Sequence, residues 1–296
     1  MALAFVHQAD ADDIEDDVRA FAVASLARQD ALALRLTGGQ TENLKAHLGD
    51  LRGDACGPMA VRLSLGQTDA SEAWESLIAA TDDDDDVADS KTLQTTSTTE
   101  RCANAARPWT GGSLTLATDS PDASGQDFER VETSLSAGLD ARIAADLALG
   151  IAVGGSNGDT IESTGKTRGR AALGSFAAYA SYHPSESSFA EAAIGVARLG
   201  VSDRVIGTAE ALSGATDHPG VGGFATVSVG RLERFGDVRV SPYLKASGQI
   251  VRLGATSQRS ASADFWIAAR NASRLNATVG MDTSMPLRRL PDWIAV

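Results

Sequence analysis

The chain has 296 residues, enough for one large or two small domains, and its 43% hydrophobic content contains no long apolar run, which excludes helical membrane spans. A net charge of -13 argues against nucleic-acid binding, because a phosphate backbone must be met by clustered lysines and arginines. The mean hydropathy of -0.10 does not exclude a membrane crossed by strands, because only every second residue of such a strand faces lipid and the average hydropathy therefore stays low.

The N-terminal region, residues 1–55, is predicted to be helical. Apolar residues recur at roughly helical spacing from about residue 13 to residue 36, and Gly38 and Gly39 are expected to end this helix. A second, shorter helix is predicted over residues 41–51, with Thr41 as its N-cap. We expect a solvated helical pair that flanks a β-domain, in preference to a partner-binding element.

Residues 56–106 form a polar and acidic segment, which is predicted to be a disordered linker. The aspartates at 82–86 follow one another directly, so they lack the alternating spacing and the glycine of a calcium loop. The only two cysteines, Cys56 and Cys102, bracket this segment. They form either a disulfide, which would stabilise an exported chain by about 4 kcal/mol on the entropy model, or two free thiols in a cytosolic protein.

Residues 131–143 alternate between apolar odd positions and mostly polar even positions, and similar alternation returns at 147–154, 238–250 and 275–282. This repetition predicts an antiparallel all-β meander, with one face toward an apolar phase and one toward water. In an outer-membrane barrel the apolar phase is lipid, and Asn276 and Thr278 would then face the lumen. The positions predicted to face lipid are Val131, Leu135, Leu139, Leu147, Leu149, Ile151, Leu244, Leu275 and Val279, together with Ala277.

Nine strands can be placed from the sequence, at about 112–118, 129–143, 145–154, 169–183, 187–202, 220–234, 237–253, 260–270 and 273–285. The short, turn-rich spacers between them predict hairpins between sequence neighbours.

The sequence offers no basis for a catalytic, metal or cofactor site, and we predict that the chain is not an enzyme. The segment 165–167 resembles the end of a P-loop, but the first glycine of that motif would fall on Thr160. The glycines at 220–223 lead into a strand and not into a helix N-terminus. The four histidines are isolated from one another and lack metal-ligand spacing.

Six blocks, in this order and spacing, together resemble the autotransporter β-barrel domain of Gram-negative bacteria. They are Trp109-Thr-Gly-Gly-Ser, Glu132-Thr-Ser-Leu-Ser-Ala-Gly-Leu-Asp-Ala-Arg, Leu147-Ala-Leu-Gly-Ile-Ala-Val-Gly, Tyr179-Ala-Ser-Tyr-His-Pro, Ala193-Ile-Gly-Val-Ala followed by Arg204, and Ser241-Pro-Tyr-Leu-Lys-Ala. The resemblance covers about residues 107–288, and more loosely the helical region and the cysteine pair.

The resemblance implies a mainly all-β fold, an antiparallel up-and-down transmembrane β-barrel of roughly a dozen strands in the outer membrane, with a helix threading its pore. It implies type V secretion, in which the barrel translocates and anchors an N-terminal passenger at the cell surface. The implied partners are outer-membrane lipid, the outer-membrane barrel assembly machinery and the chain's own passenger.

The sequence departs from the family at its C-terminus, where members continue through further strands and end on an aromatic residue. Here a tail at 289–296 follows the last predicted strand, so we expect a truncated and impaired form, with an incomplete barrel, an open edge and aggregation in water. The alternative is a soluble secreted β-sandwich with an adhesive or structural role. Burial of Trp109, Phe224, Tyr243 and Trp266 in one core would favour that alternative.

Overall fold

The computed structural model describes residues 12–52, 60–69, 106–119, 128–162, 167–185, 187–205, 214–235, 238–259 and 264–284. Within these residues one helix, α1, spans Asp12–Leu51. The strands there are β1 Ala60–Asp69, β2 Arg107–Asp119, β3 Phe128–Ala144, β4 Leu147–Glu162, β5 Thr167–Ser185, β6 Ser188–Val205, β7 Gly214–Arg231, β8 Glu233–Phe235, β9 Val238–Leu253, β10 Thr256–Arg259, β11 Asp264–Ile267 and β12 Arg270–Ser284.

Helix α1 is continuous, so the prediction of two helices separated by Gly38 and Gly39 is wrong. Both glycines are points of close approach to the sheet: a Cβ added at Gly38 would lie 3.2 Å from the Nε2 atom of Gln249, and one at Gly39 would lie 3.3 Å from Ser134 Cβ. Thr41 is not an N-cap, because its hydroxyl donates within the helix to the carbonyl of Thr37, at 3.3 Å.

The main sheet follows the strand order β1-β2-β3-β4-β5-β6-β7-β9-β12, with β8 paired to β9. From β2 onward each strand on this path is antiparallel to the next, which confirms the predicted up-and-down meander. Strand β1 is an exception, because it pairs with β2 in parallel. Among the described residues no pairing joins β1 to β12, so the sheet is not closed, which agrees with the expected incomplete barrel.

Two parts of the strand prediction need correction. The strand expected over 260–270 is absent from the sheet, because Leu253 of β9 pairs directly with Arg270 of β12 and the residues between them form a connection. Within it β10 and β11 make a separate two-stranded hairpin. The disordered linker predicted over 56–106 contains β1. Cys56 and Cys102 lie outside the described residues, so their pairing stays a prediction.

The two faces of the sheet have different chemistry, as strand β4 illustrates. Its even positions Ala152 and Ser156 are buried, whereas its odd positions Leu149 and Ile151 are 42% and 50% exposed. Because successive side chains of a strand point to opposite faces, one face is covered and the other is not. The covered face is the inner face, against which α1 lies.

Candidate functional site

The candidate site is the inner face of the sheet together with α1, which lies against it and contacts β2 to β7, β9 and β12. The prediction of a solvated helical region is therefore wrong. Leu44 and Leu48 of α1 are each 2% exposed and pack in one apolar cluster with Trp109 and Phe224. A second cluster joins Leu32 and other leucines of α1 to inward residues of β5, β6 and β9.

A polar network joins the C-terminal third of α1 to β3 and β4. The Nε2 atom of Gln40 donates to the hydroxyls of Ser134, at 3.0 Å, and Ser156, at 2.7 Å, and its Oε1 atom accepts from Ser136 at 2.9 Å. Asn43 donates to the hydroxyls of Ser134 and Ser136 at 2.9 Å and 3.0 Å. All five side chains are buried, so these hydrogen bonds satisfy groups that would otherwise be costly to remove from water.

Toward its N-terminus α1 is held by contacts to β6 and β12. Gln29 donates to the carboxylate of Asp203 at 3.0 Å, and the hydroxyl of Ser25 donates to the same oxygen. Arg270 donates to Asp30 and to the side-chain carbonyl of Gln29, in both cases at 2.7 Å. The buried carboxylate of Asp203 thus accepts charge-assisted hydrogen bonds from the helix.

The C-terminal end of α1 is held by an ion-pair cluster around Arg52. Its guanidinium makes two hydrogen bonds of 2.6 Å to the carboxylate of Glu191 and one of 3.0 Å to Asp282. It also lies 3.8 Å from the centre of the Phe189 ring. Ser228 donates a further hydrogen bond to Glu191 at 2.9 Å. The side chains of Arg52 and Glu191 are only 6% and 1% exposed, so this is a buried, bidentate ion pair.

One turn earlier, His47 connects α1 to β2 and β3. Its Nε2 atom lies 3.0 Å from a carboxylate oxygen of Asp140, and its ring stacks on Trp109 at a centroid distance of 4.0 Å. Trp109 donates to the hydroxyl of Tyr179 at 2.6 Å, and Arg107 donates to Asp140 at 3.3 Å. This arrangement positions the helix by hydrogen bonds and ring stacking.

The residues predicted to face lipid lie on the outer face, and all except half-buried Leu147 are exposed. On β12 the register places Thr278 beside buried Lys245 and Val279 beside exposed Leu244. Thr278 and Asn276 are nevertheless exposed as well, because β12 is an edge of the described sheet and α1 covers little of it.

The alternation of residue types did not identify the contacts of α1 with the inner face and missed much of the outer face, although the family resemblance implies a helix inside the barrel. The burial of aromatic residues does not distinguish the outer-membrane barrel from the soluble β-sandwich, since Trp109 and Phe224 are buried against α1 whereas Trp266 is 60% exposed. Outward apolar residues absent from the prediction include Val153, Phe176, Ile194, Val196, Val221, Val227, Val229 and Ile250. In β5 to β7 small residues occupy both faces, which weakens the alternation that would have identified them.

In the part of the chain that the structure describes, no three His, Cys, Asp or Glu side chains are grouped so as to hold a metal ion. The described part of α1 is not apolar enough for a membrane-crossing helix.

Residues 108–289 match the family model described as the autotransporter beta-domain. The translocator domain of NalP from Neisseria meningitidis is similar in structure, with 10% identity, a TM-score of 0.48, and coverage of 61% of this chain and 60% of the chain of that domain. The β-domain of BrkA from Bordetella has 16% identity, a TM-score of 0.43, and coverage of 58% and 70%. The transport unit of AIDA-I from Escherichia coli has 17% identity, a TM-score of 0.37, and coverage of 60% of this chain and 71% of that chain.

None of the curated proteins compared with the sequence matches it. The chain spans 60% of the length of the NalP structure, which is less than two thirds.

Proposed function

Because this chain belongs to the autotransporter β-domain family, we propose that residues 107–288 act as an outer-membrane translocator, which carries and anchors an N-terminal passenger at the cell surface. The family consists of outer-membrane β-barrels of Gram-negative bacteria. The observation that carries the proposal is the course of α1, which runs along the inner face of the sheet and makes buried polar contacts near both ends of the sheet.

The connections between strands give this helix a direction relative to the membrane. At one end of the sheet the connections are 120–127, 163–166, 206–213 and 254–269, and at the other they are 145–146, 186–187 and 232–237. Barrels of the outer membrane keep their short turns in the periplasm and their longer loops outside.

Gln29 of α1 contacts Asp203, near the end with the longer connections, which we call the long-loop end. Arg52 contacts Glu191, near the opposite, short-turn end. A chain segment N-terminal to α1 would therefore leave on the side of the cell surface. This direction supports the export of an N-terminal passenger and its retention by the helix.

The outer face supports lipid as the apolar phase. Ile194 and Leu135 are 65% and 59% exposed, and other large apolar side chains surround them on the same face. Among the described residues the only structure outside the main sheet and α1 is the small β10–β11 hairpin, so no second layer covers this face. Burial in lipid removes this area from water at about 25 cal/mol per Å². A β-sandwich would instead need a second sheet against it.

We further propose outer-membrane lipid, the barrel assembly machinery and the passenger as partners. Family membership supports all three. Strand β12 has no second neighbour among the described residues, and this supports the need for an assembly partner, since unpaired backbone groups in lipid cost several kcal/mol each. Translocator domains are not generally enzymes, and we propose no catalytic role.

Expression in a Gram-negative host with an export signal and an epitope tag ahead of residue 12 tests this function. We expect the chain in the outer-membrane fraction, released only by detergent, with the tag accessible to antibody on intact cells. A matched variant carrying the tag at the 145–146 turn should be inaccessible until the outer membrane is opened. Recovery of the chain as a water-soluble monomer would contradict the proposal.

A further inference from the structure

We propose that the outer face of the sheet carries a binding site for the phosphate group of a lipid head group, formed around Arg198 and Arg252. This inference rests on the proposed function, because it needs the outer face to lie in lipid. It adds a specific ligand to that face.

The two arginines occupy one row across neighbouring strands. Arg198 of β6 pairs with Val221 of β7, and Val221 pairs with Arg252 of β9, so all three side chains point outward. Two strand spacings separate the arginines, or about 10 Å. Two residues further along β6 and β9 lie exposed Val196 and Ile250, where the aliphatic part of the face begins. The arginines therefore lie at the border of the apolar band.

A groove of about 860 Å³ opens beside Arg198. Ala172, Gly174 and Gly200 are the small outward residues that form its floor, and a Cβ added at either glycine would meet nothing within 4 Å. No residue of α1 lines the groove, so it opens outward and not toward the helix. Its size falls in the range of small-molecule sites, and its floor leaves room for a head group beside Arg198.

The charge on Arg198 and Arg252 favours an anion. Arg168 and Arg170 are paired with Asp159, at 3.1 Å and 2.8 Å. Arg198 and Arg252, in contrast, have no hydrogen bond or ion pair with any residue that the structure describes. The groove itself is lined by two arginines, Arg170 and Arg198, and two aspartates, Asp159 and Asp217, so the positive charge that stays unpaired among the described residues lies on Arg198 and Arg252.

A phosphate group suits this arrangement. A guanidinium binds phosphate with two parallel charge-assisted hydrogen bonds, and these strengthen where water is partly excluded. The arginines lie on the part of the sheet nearer the long-loop end, which corresponds to the leaflet at the cell surface. The ligand would therefore be a phosphorylated lipid of that leaflet, and not a phosphate dissolved in the periplasm.

The test uses the full chain folded into phosphatidylcholine vesicles that contain lipid A, either with its phosphates or after their removal. Retained lipid is measured by mass spectrometry after extraction into detergent. We expect the chain to retain the phosphorylated form at least about tenfold better. Replacing Arg198→Gln and Arg252→Gln together should abolish this preference. The control replaces Arg231→Gln and Arg234→Gln, which are exposed at the short-turn end, and should keep it.

Inorganic phosphate added in excess distinguishes the two sources of the ligand, because a site for a lipid should retain lipid A in its presence. Equal retention of both forms of lipid A, or equal loss in the control variant, would overturn the inference and indicate arginines that only reach toward water at the membrane border. If the chain folds in vesicles but shows no preference, the translocator proposal stands and this inference fails. If it folds only in plain buffer, both fail.

Discussion

The Arg52–Glu191 ion pair is the contact whose loss should most weaken the packing of α1 against the inner face. Among the described residues, Arg52→Ala would leave the carboxylate of Glu191, now 1% exposed, with the hydroxyl of Ser228 as its remaining hydrogen-bond donor. Breaking a buried ion pair from one side costs about 3 to 5 kcal/mol. The contact of the guanidinium with the Phe189 ring is lost as well. We expect the equilibrium to shift at least about a hundredfold toward the unfolded state, since each 1.4 kcal/mol is a factor of ten.

A matched exposed pair provides the control for this prediction. Arg168 binds Asp159 at 3.1 Å, but both side chains are about 40% exposed, so Arg168→Ala should cost about 0 to 1 kcal/mol. The double variant Arg52→Met with Glu191→Leu removes both charges and should recover most of the loss, because no carboxylate is then left buried alone.

The assay is urea unfolding of the chain in lipid vesicles, followed by tryptophan fluorescence, with the free energy of unfolding compared among the variants. Equal costs for Arg52→Ala and Arg168→Ala would refute the reasoning. So would a double variant that is less stable than Arg52→Ala. Either result would mean that the ion pair at the end of α1 is effectively solvated and does not hold the helix.

Two further predictions address the outer and inner faces of the sheet. In a barrel completed with further strands, Val279→Arg should lower the stability of the folded barrel by about 2 to 4 kcal/mol if it lies near the bilayer midplane, and Thr278→Arg should lower it little. The measurement is folding into lipid vesicles, and equal penalties would contradict the assignment of faces. Gly150→Ala should destabilise the fold by about 1 to 3 kcal/mol, because the added Cβ would lie 2.1 Å from the Tyr179 ring. Gly174→Ala, where nothing lies within 4 Å, should be nearly neutral in the same unfolding measurement.

The strands with strong alternation could be predicted from the sequence because each has one apolar face and one polar face. The run 131–143 corresponds to β3, and the run 147–154 lies within β4. The structure extends β4 to Glu162, beyond the predicted end, because backbone pairing with β3 and β5 continues through glycine and polar residues that carry no alternation. Strand ends therefore depend on partners that are distant in the sequence.

The contacts of α1 with the inner face could not be predicted in the same way, from the alternation of residue types. Gln40 and Asn43 are polar, and the usual inference is that such residues face water, but here they face the serines of β3 and β4. Gly38 and Gly39 suggest a helix end when only local conformation is considered. In the fold they allow close packing of helix and sheet, and the residues packed against them, Gln249 and Ser134, are distant in the sequence.

The proposed direction of export and the proposed lipid leaflet both depend on the assignment of the long-loop end to the cell surface. Gln29 and Arg270 meet near that end, and Arg198 lies on the same half of β6 as Asp203. Were the sheet inverted in the membrane, α1 would begin in the periplasm and the arginines would meet the periplasmic leaflet. An accessible tag ahead of residue 12 therefore supports both proposals, because it fixes the orientation on which export and the choice of lipid leaflet both depend.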